Sequence, residues 1–277
     1  VAASDLVLTI SAPRCVLCGN PFGGFNLKCV SHGASAGQNL LMEIELPELR
    51  AGTLFLVATP IGNLEDITLR ALRTLRECDV VAAEDTRRTG LLLKHFEIAK
   101  PMLSCHGHNE AQRAAEIVER LGRGERVALV SDAGSPGISD PGERVVRAVI
   151  AAGHRVEPVP GASALVAALT ASGLPTGEFH FIGFLPHKSG QRRKQLDAVA
   201  TLDCSLVFYE SPFRVEKFLR ELAEVFPTRR VVLAREVTKR FEEFLRGTPA
   251  ELLAEIGRRP RKGEFVVVVE GNREGEQ

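Results

Sequence analysis

The sequence predicts an α/β protein of two domains, a mainly parallel five-stranded N-terminal sheet and a mixed α/β C-terminal domain, with a cleft between them. Three observations predict it. The 277 residues, 44% of them hydrophobic, suffice for roughly two cores of ordinary size. From residue 53 short apolar runs alternate with amphipathic stretches, the pattern of a parallel sheet covered by helices on both faces. Around residues 236–239 two strand-like runs follow one another with no helix between them, which suggests an antiparallel component.

Composition excludes several classes. Lysine plus arginine total 35, as do aspartate plus glutamate, so nucleic-acid binding needs a local patch rather than an overall field. The strongest apolar run, Phe265–Val269, is strand-sized and far short of the roughly 18–20 residues that cross a bilayer. Six cysteines in a chain of this length do not make a disulfide scaffold, and a reducing cytoplasm is expected.

Residues 1–51 read as a poorly ordered extension, with few charges, no helical or strand periodicity and scattered glycines. The first methionine, Met42, lies ten residues before the first clear strand and is a candidate natural start. Leu6 to Ile10 is apolar but has no basic segment before it, so a signal peptide is not expected. Cys15, Cys18, Cys29 and His32 have the residue types of a structural zinc site, but the match is read as chance and no metal is expected. Gly33-Ala-Ser35-Ala-Gly37 fits the G-x-S-x-G pattern of hydrolases without the strand before and helix after that the turn requires.

The N-terminal domain, 52–171, reads as strand 54–58, helix 67–76, strand 80–83, helix 87–96, strand 102–105, helix 109–121, strand 127–130, helix 141–152, strand 156–159 and helix 162–171. A Gly- and Pro-bearing linker, 172–178, leads into the C-terminal domain, 172–271, and 272–277 is a tail. That domain reads as strands 179–184, 205–209, 230–235, 241–246 and 265–269, with helices 189–199, 212–225 and 249–256. In parallel sheets ligands bind beyond the carboxyl ends of the strands, so chemistry is expected in the loops that follow them.

Thr59-Pro60-Ile61-Gly62-Asn63-Leu64 follows the first strand. It lacks both the Walker lysine and the G-x-G-x-x-G pattern, which argues against an ATPase and an ordinary dinucleotide enzyme. Ser131-Asp132-Ala133-Gly134, continuing through Ser135-Pro-Gly-Ile-Ser-Asp-Pro-Gly142, puts glycines, prolines and small side chains directly after a buried strand, leaving main chain open to a ligand. Asp140 with Pro141 also fits a helix N-cap followed by proline at the first helical position. Pro160-Gly161-Ala162-Ser163 approaches from the same sheet edge.

Six motifs in order resemble the ribosomal RNA small subunit methyltransferase I family, of the tetrapyrrole-methylase-like fold. They are Ala58-Thr-Pro-Ile-Gly-Asn-Leu-Glu-Asp66, Ala83-Glu-Asp-Thr-Arg87, Ser131 to Gly142, Pro160-Gly-Ala-Ser163, Phe208-Tyr-Glu-Ser-Pro212 and Arg235-Glu-Val-Thr-Lys239, spanning about residues 52–271. The resemblance implies an S-adenosylmethionine-dependent enzyme that methylates the ribose 2′-hydroxyl of a cytidine in 16S ribosomal RNA of the small subunit. It further implies a cytoplasmic homodimer with the cofactor in the interdomain cleft. Cofactor contacts are then expected from Pro60, Ile61, Gly62, Asn63, Ser131, Asp132, Ala133, Gly134, Pro160, Gly161, Ala162, Ser163, Phe208 and Tyr209. The wider fold carries G-x-G-x-G after the first strand, whereas Pro60-Ile-Gly-Asn63 stands here.

Methyl transfer from a sulfonium is an in-line displacement that depends chiefly on alignment, with a base to assist a weakly acidic ribose hydroxyl. Glu84, Asp85, Glu236 and Lys239 are the candidates; their other reading is an ion-pair and capping network around Arg87, Arg88 and Arg235. Lys188, Arg192, Arg193 and Lys194 form a basic segment suited to RNA phosphates, and Arg229-Arg230 and Arg258 to Lys262 add two more. These clusters weigh against the competing reading, methylation of a tetrapyrrole carbon, and against a non-catalytic module. With no tryptophan and one tyrosine, base stacking falls to phenylalanine or arginine planes.

Overall fold

The computed structural model describes residues 8–9, 27–30, 41–44, 48–258 and 262–272. Contacts divide the chain into two units, one up to Leu49 and one from Arg50. In the first, β1 (Leu8–Thr9), β2 (Leu27–Val30) and β3 (Leu41–Ile44) form an antiparallel sheet of order β1-β3-β2, pairing Cys29 with Met42. Strands therefore stand where the sequence shows no strand periodicity, because strands of four residues or fewer are too short for alternation to register. Cys15, Cys18, His32 and the segment 33–37 lie outside the described residues.

The second unit begins with β4 (Thr53–Val57), α1 (Leu69–Glu77), β5 (Val80–Ala83), α2 (Thr86–His95), β6 (Met102–Ser104), α3 (Glu110–Gly122), β7 (Val127–Val130), α4 (Glu143–Ala151), β8 (Arg155–Val159) and α5 (Ala164–Ser172). Every residue of β5 and β7 is buried, as continuous apolar runs require in a sheet covered on both faces. The five strands are all parallel in the order β6-β5-β7-β4-β8. The chain leaves β4 toward β5 on one side and leaves β7 toward β8 on the other. Strands β7, β4 and β8 are consecutive in the sheet, so the loops after them emerge side by side at the reversal of strand order, where such sheets bind ligands.

The second sheet comprises β9 (Phe179–Phe184), β10 (Ser205–Glu210), β11 (Val231–Arg235), β12 (Glu243–Gly247) and β13 (Phe265–Val269), in the order β12-β11-β13-β10-β9. Only β9 and β10 are parallel; the other pairs are antiparallel, as the missing helix near residue 238 predicts. Helices α6 (Ser189–Ala198), α7 (Val215–Val225) and α8 (Pro249–Arg258) complete it. One face packs Phe208, Leu206 and Val267 against Phe218 and Leu219 of α7; the other packs Val207, Val232 and Val268 against Ala168 and Leu169 of α5. Helix α5, which follows the last strand of the first sheet, thus covers the second. Ile61 packs against the same cluster and brings the loop after β4 onto it.

Two expected boundaries are corrected. Strand β12 begins at Glu243 rather than 241, because Glu236 and Thr238 adopt positive φ in a tight turn that Glu242 closes by accepting from the Thr238 N–H at 2.6 Å. Helix α4 begins at Glu143, and its N-cap is Gly142, so Asp140 is not the cap. The free N–H groups of that helix end find their acceptor elsewhere: the N–H groups of Gly142 and Arg144 both donate to Glu110 Oε1 at 2.9 Å. Glu110 is 7% exposed and anchors the start of α4 to α3. Glu110→Ala leaves both donors unpaired and should cost about 2–4 kcal/mol. A thermal midpoint lowered by roughly 5–15 °C, and largely restored in Glu110→Gln, checks this.

Candidate active site

Three loops meet at the carboxyl ends of β7, β4 and β8. The Thr59 N–H donates to the Gly134 carbonyl at 2.9 Å and the Gly134 N–H to the Thr59 carbonyl at 3.0 Å, while the Thr59 hydroxyl donates to the Ser131 carbonyl at 3.2 Å. The third loop lies close because position 161 is glycine: a Cβ there would fall 2.9 Å from the Ala58 Cβ. Asn63 and Ser163 serve as helix caps, accepting from the Glu65 and Val166 N–H groups, so these side chains shape the loops. The second sheet reaches the same place. Lys239 lies over Gly62, where φ is +156° and an added Cβ would fall 2.2 Å from the lysine Cγ. Gly183 of β9 lets Ser139 approach, an added Cβ falling 2.8 Å from its hydroxyl oxygen.

The paired aromatic residues separate by strand alternation. Phe208, expected at the cofactor, is buried in the core with its ring 5.2 Å from that of Phe218, on the face away from α5. Tyr209 points the opposite way, stacked edge-on between Phe181 and Phe184 and hydrogen-bonded to the Leu165 backbone. Burial, followed by the charge of Asp140, raises its pKa.

Carboxylates crowd the ends of β5 and β7. The Asp85 N–H donates to Asp132 Oδ1 at 3.1 Å, and the Asp132 N–H donates to Glu84 Oε2 at 3.4 Å, a reciprocal lock between neighbouring strands. Asp85 caps α2 and is held well below the usual carboxylate range by hydrogen bonds from the Arg87 side chain and backbone. Glu84 shifts the other way: burial raises it, and the adjacent Asp132 and Asp85 charges add to the effect. Asp140, which sequence reasoning placed only as a helix cap, is pushed up to about 6 by burial and by the charge of Glu84. Arg88 pairs with Asp132 at 3.3 Å. The signal for both lay inside the motifs, in Ala83 to Arg87 and Ser131 to Gly142, but which carboxylates face one another is a matter of strand order.

Glu236 and Lys239 form a separate pair. Lys239 Nζ donates to Glu236 Oε1 and to Glu264 Oε2, each at 2.9 Å. Burial opposes the charge of both residues, yet these hydrogen bonds outweigh it, holding Lys239 above and Glu236 below their ordinary values. A lysine so held stays protonated. Arg235 pairs with Glu243 instead, at 3.1 Å.

A cavity of about 350 Å³ opens beside the loops, within the roughly 300–1,000 Å³ typical of ligand sites. Thr59, Pro60, Gly62 and Leu64 form one wall, Ser131 and Asp132 the floor, and Arg88, Thr89, Leu91, Leu92 and His95 of α2 the other wall. The lining combines apolar leucines with the Arg88–Asp132 ion pair.

The basic segment at α6 divides. Arg192, expected on RNA, is 3% exposed: its Nε and Nη2 donate to Glu221 at 2.5 Å, and its Nη1 donates to the carbonyls of Pro186 and His187. Its charge is neutralised inside the fold, so it is not a phosphate contact. Arg193 pairs with Asp197 and Glu224 on the surface, and Lys188 and Lys194 are exposed. His106 and His108 lie with ring centres 6.0 Å apart, and no group of three or more metal-ligating side chains occurs among the described residues.

The model of the family Tetrapyrrole (Corrin/Porphyrin) Methylases matches residues 53–253. Solved structures agree: the methyltransferase CobJ superposes with a TM-score of 0.61 at 23% identity, covering 81% of this chain and 98% of that one. Uroporphyrin-III C-methyl transferase from Thermus thermophilus complexed with S-adenyl homocysteine gives 0.56 at 21%, covering 78% and 96%. Fold and family match thus define a methyltransferase. The chain is 51% identical over 223 residues to ribosomal RNA small subunit methyltransferase I of Halalkalibacterium halodurans, covering 80% of this chain and 77% of that protein. It is 51% identical over 226 residues to the protein of that name from Pseudomonas aeruginosa, covering 80% of each. It belongs to the ribosomal RNA small subunit methyltransferase I family.

Asp140 gives the site a pH signature. Its carboxyl ionises at an ordinary value of 3.8 when unfolded and at about 6 when folded, so the folded state holds the proton longer and wild type loses stability as pH rises through that window. Asp140→Asn should therefore gain thermal stability relative to wild type between about pH 4 and 6, with the difference level above that range, in paired melts across pH.

Proposed function

We propose that this chain methylates the ribose 2′-hydroxyl of a cytidine in 16S ribosomal RNA, within the small ribosomal subunit. Identity near 50% over four-fifths of the chain, to proteins named for small-subunit ribosomal RNA, carries this reading. The halves 52–171 and 172–271 act as two domains that close on the cofactor, and the protein works as a homodimer in the cytoplasm, where that substrate is found. No helix among the described residues is long and apolar enough to cross a membrane.

The loops fit the methyl donor. Ala133, Gly134, Gly161 and Ala162 present main chain with almost no side chain in the way, and Glu84, Asp132 and Asp140 supply negative charge for a sulfonium and an ammonium group. When bound, S-adenosylmethionine supplies an electrophilic methyl on that sulfonium. Pro60, Ile61, Gly62 and Asn63 on one side, Ser131 and Pro160 to Ser163 on the other, and Tyr209 from the second sheet hold it. The cavity beside α2 receives the acceptor nucleotide, with Arg88 toward its phosphate and leucines toward its base.

Glu84 takes the proton from the acceptor hydroxyl. Of the three carboxylate candidates it alone has an elevated pKa, nearer neutrality, where a carboxylate is a stronger base, and Lys239 is held protonated. Asp85 is committed to Arg87 and to capping α2, and Glu236 and Lys239 neutralise each other. Lys188, Lys194 and Arg193 meet RNA phosphates from α6.

Labelled methyl transfer to small subunits lacking the modification, with naked ribosomal RNA and a tetrapyrrole alongside, tests the assignment. Ribose-methylated cytidine is the expected product; label on the tetrapyrrole overturns it. In the same assay, at saturating cofactor, Glu84→Gln should lower kcat by about 100-fold. Full turnover in that variant removes Glu84 as the base.

A further inference from the structure

Among the described phenylalanines Phe213 is the most exposed, at 95% against 64% for Phe241 and 58% for Phe184, whereas Phe208, Phe218 and Phe226 are core residues. It stands in the Glu210 to Arg214 turn that links β10 to α7, at the carboxyl end of a central strand of the second sheet. The turn is rigid. Buried Glu210 accepts from the Ser211 N–H at 2.7 Å and pairs with Arg214 at 3.3 Å, and the Arg214 and Val215 N–H groups both donate to the Ser211 carbonyl at 3.1 Å. Arg214 Nη2 also donates to the carbonyls of Leu185 at 2.8 Å and Pro186 at 3.3 Å, which fastens the turn to the segment leading into exposed His187 and Lys188.

Phe213 lies four residues beyond Tyr209, a span of at most about 14 Å of chain. Tyr209 marks the candidate active site, touching the Leu165 backbone and sensing Asp140. A solvent-facing aromatic ring on a hydrogen-bonded turn thus stands within about 14 Å of chain from Tyr209, and the turn is tied to the segment that leads into Lys188. That is the combination by which proteins hold single-stranded RNA: a cation for the backbone and a ring for a base.

We propose that Phe213 is a stacking platform for an unpaired nucleobase next to the acceptor cytidine. This rests on the RNA reading above and deepens it: the enzyme engages a splayed single strand, not a helix. The test uses full-length Phe213→Ala, Phe213→Leu and Phe213→Trp proteins in methyl transfer to small subunits, with cofactor affinity and sedimentation measured in parallel.

Loss of one stacked base corresponds to about a 10- to 100-fold change. Phe213→Ala and Phe213→Leu should raise KM for subunits by about that factor with cofactor affinity intact. Phe213→Trp should match wild type or better, since a larger π-face stacks at least as well. A KM for Phe213→Ala within about twofold of wild type overturns the proposal. So does wild-type behaviour of Phe213→Leu, which marks a merely apolar contact, or dissociation of Phe213→Ala into smaller species, which assigns the ring to a second copy of the chain. If wild type itself transfers no methyl to subunits, the RNA reading fails instead, and the two failures are distinct.

Discussion

The site hangs on two backbone hydrogen bonds between Thr59 and Gly134. The strands that precede them, β4 and β7, are parallel neighbours, so their chains emerge in the same direction and would diverge into separate loops. The reciprocal pair reverses that tendency for one step and folds the loops into a common wall. Two glycines make it possible: at 161 a Cβ would fall 2.9 Å from that of Ala58, and at 134 the backbone adopts a φ of +80° that side chains disfavour. Pro60, Gly62, Ser131 and Asp132 line one cavity because of that connection.

Electrostatics then sorts side chains of one chemical kind into different roles. Glu84, Asp85, Asp132 and Asp140 lie close together, and their partners differentiate them. Asp85 has Arg87 and a helix N-terminus, both favouring the anion. Glu84 has burial and the charges of Asp132 and Asp85, and Asp140 has burial and the charge of Glu84, all disfavouring it. A cluster of this kind suits a cationic ligand, whose arrival supplies the compensating charge that the protein alone leaves out. The Glu236–Lys239 pair is already neutral, and its lysine stem lies over Gly62.

The same contrast runs through the basic residues. Arg192 and Arg193 are adjacent in the chain and indistinguishable by composition, yet one turns inward to a carboxylate and two carbonyls while the other faces solvent. A helix places neighbouring residues about 100° apart, so a basic run on a helix cannot present every charge to one ligand. Lys188 and Lys194, with their flexible stems, keep the outward role.

Much of this was legible in the amino-acid sequence. The alternation of strands and helices from residue 53, the antiparallel turn near residue 238 and the glycine-bearing loops after β4, β7 and β8 follow from periodicity and turn residues, which are properties of neighbouring positions. The burial of Phe208 and Arg192 and the capping of α4 by Glu110 rather than Asp140 were decided only by tertiary structure. Each depends on a distant partner: Glu221 lies 29 positions from Arg192, and Glu110 lies 32 from Gly142. Local pattern determines which residues form a strand, a helix or a turn; burial and charge pairing are set by what the fold brings beside them.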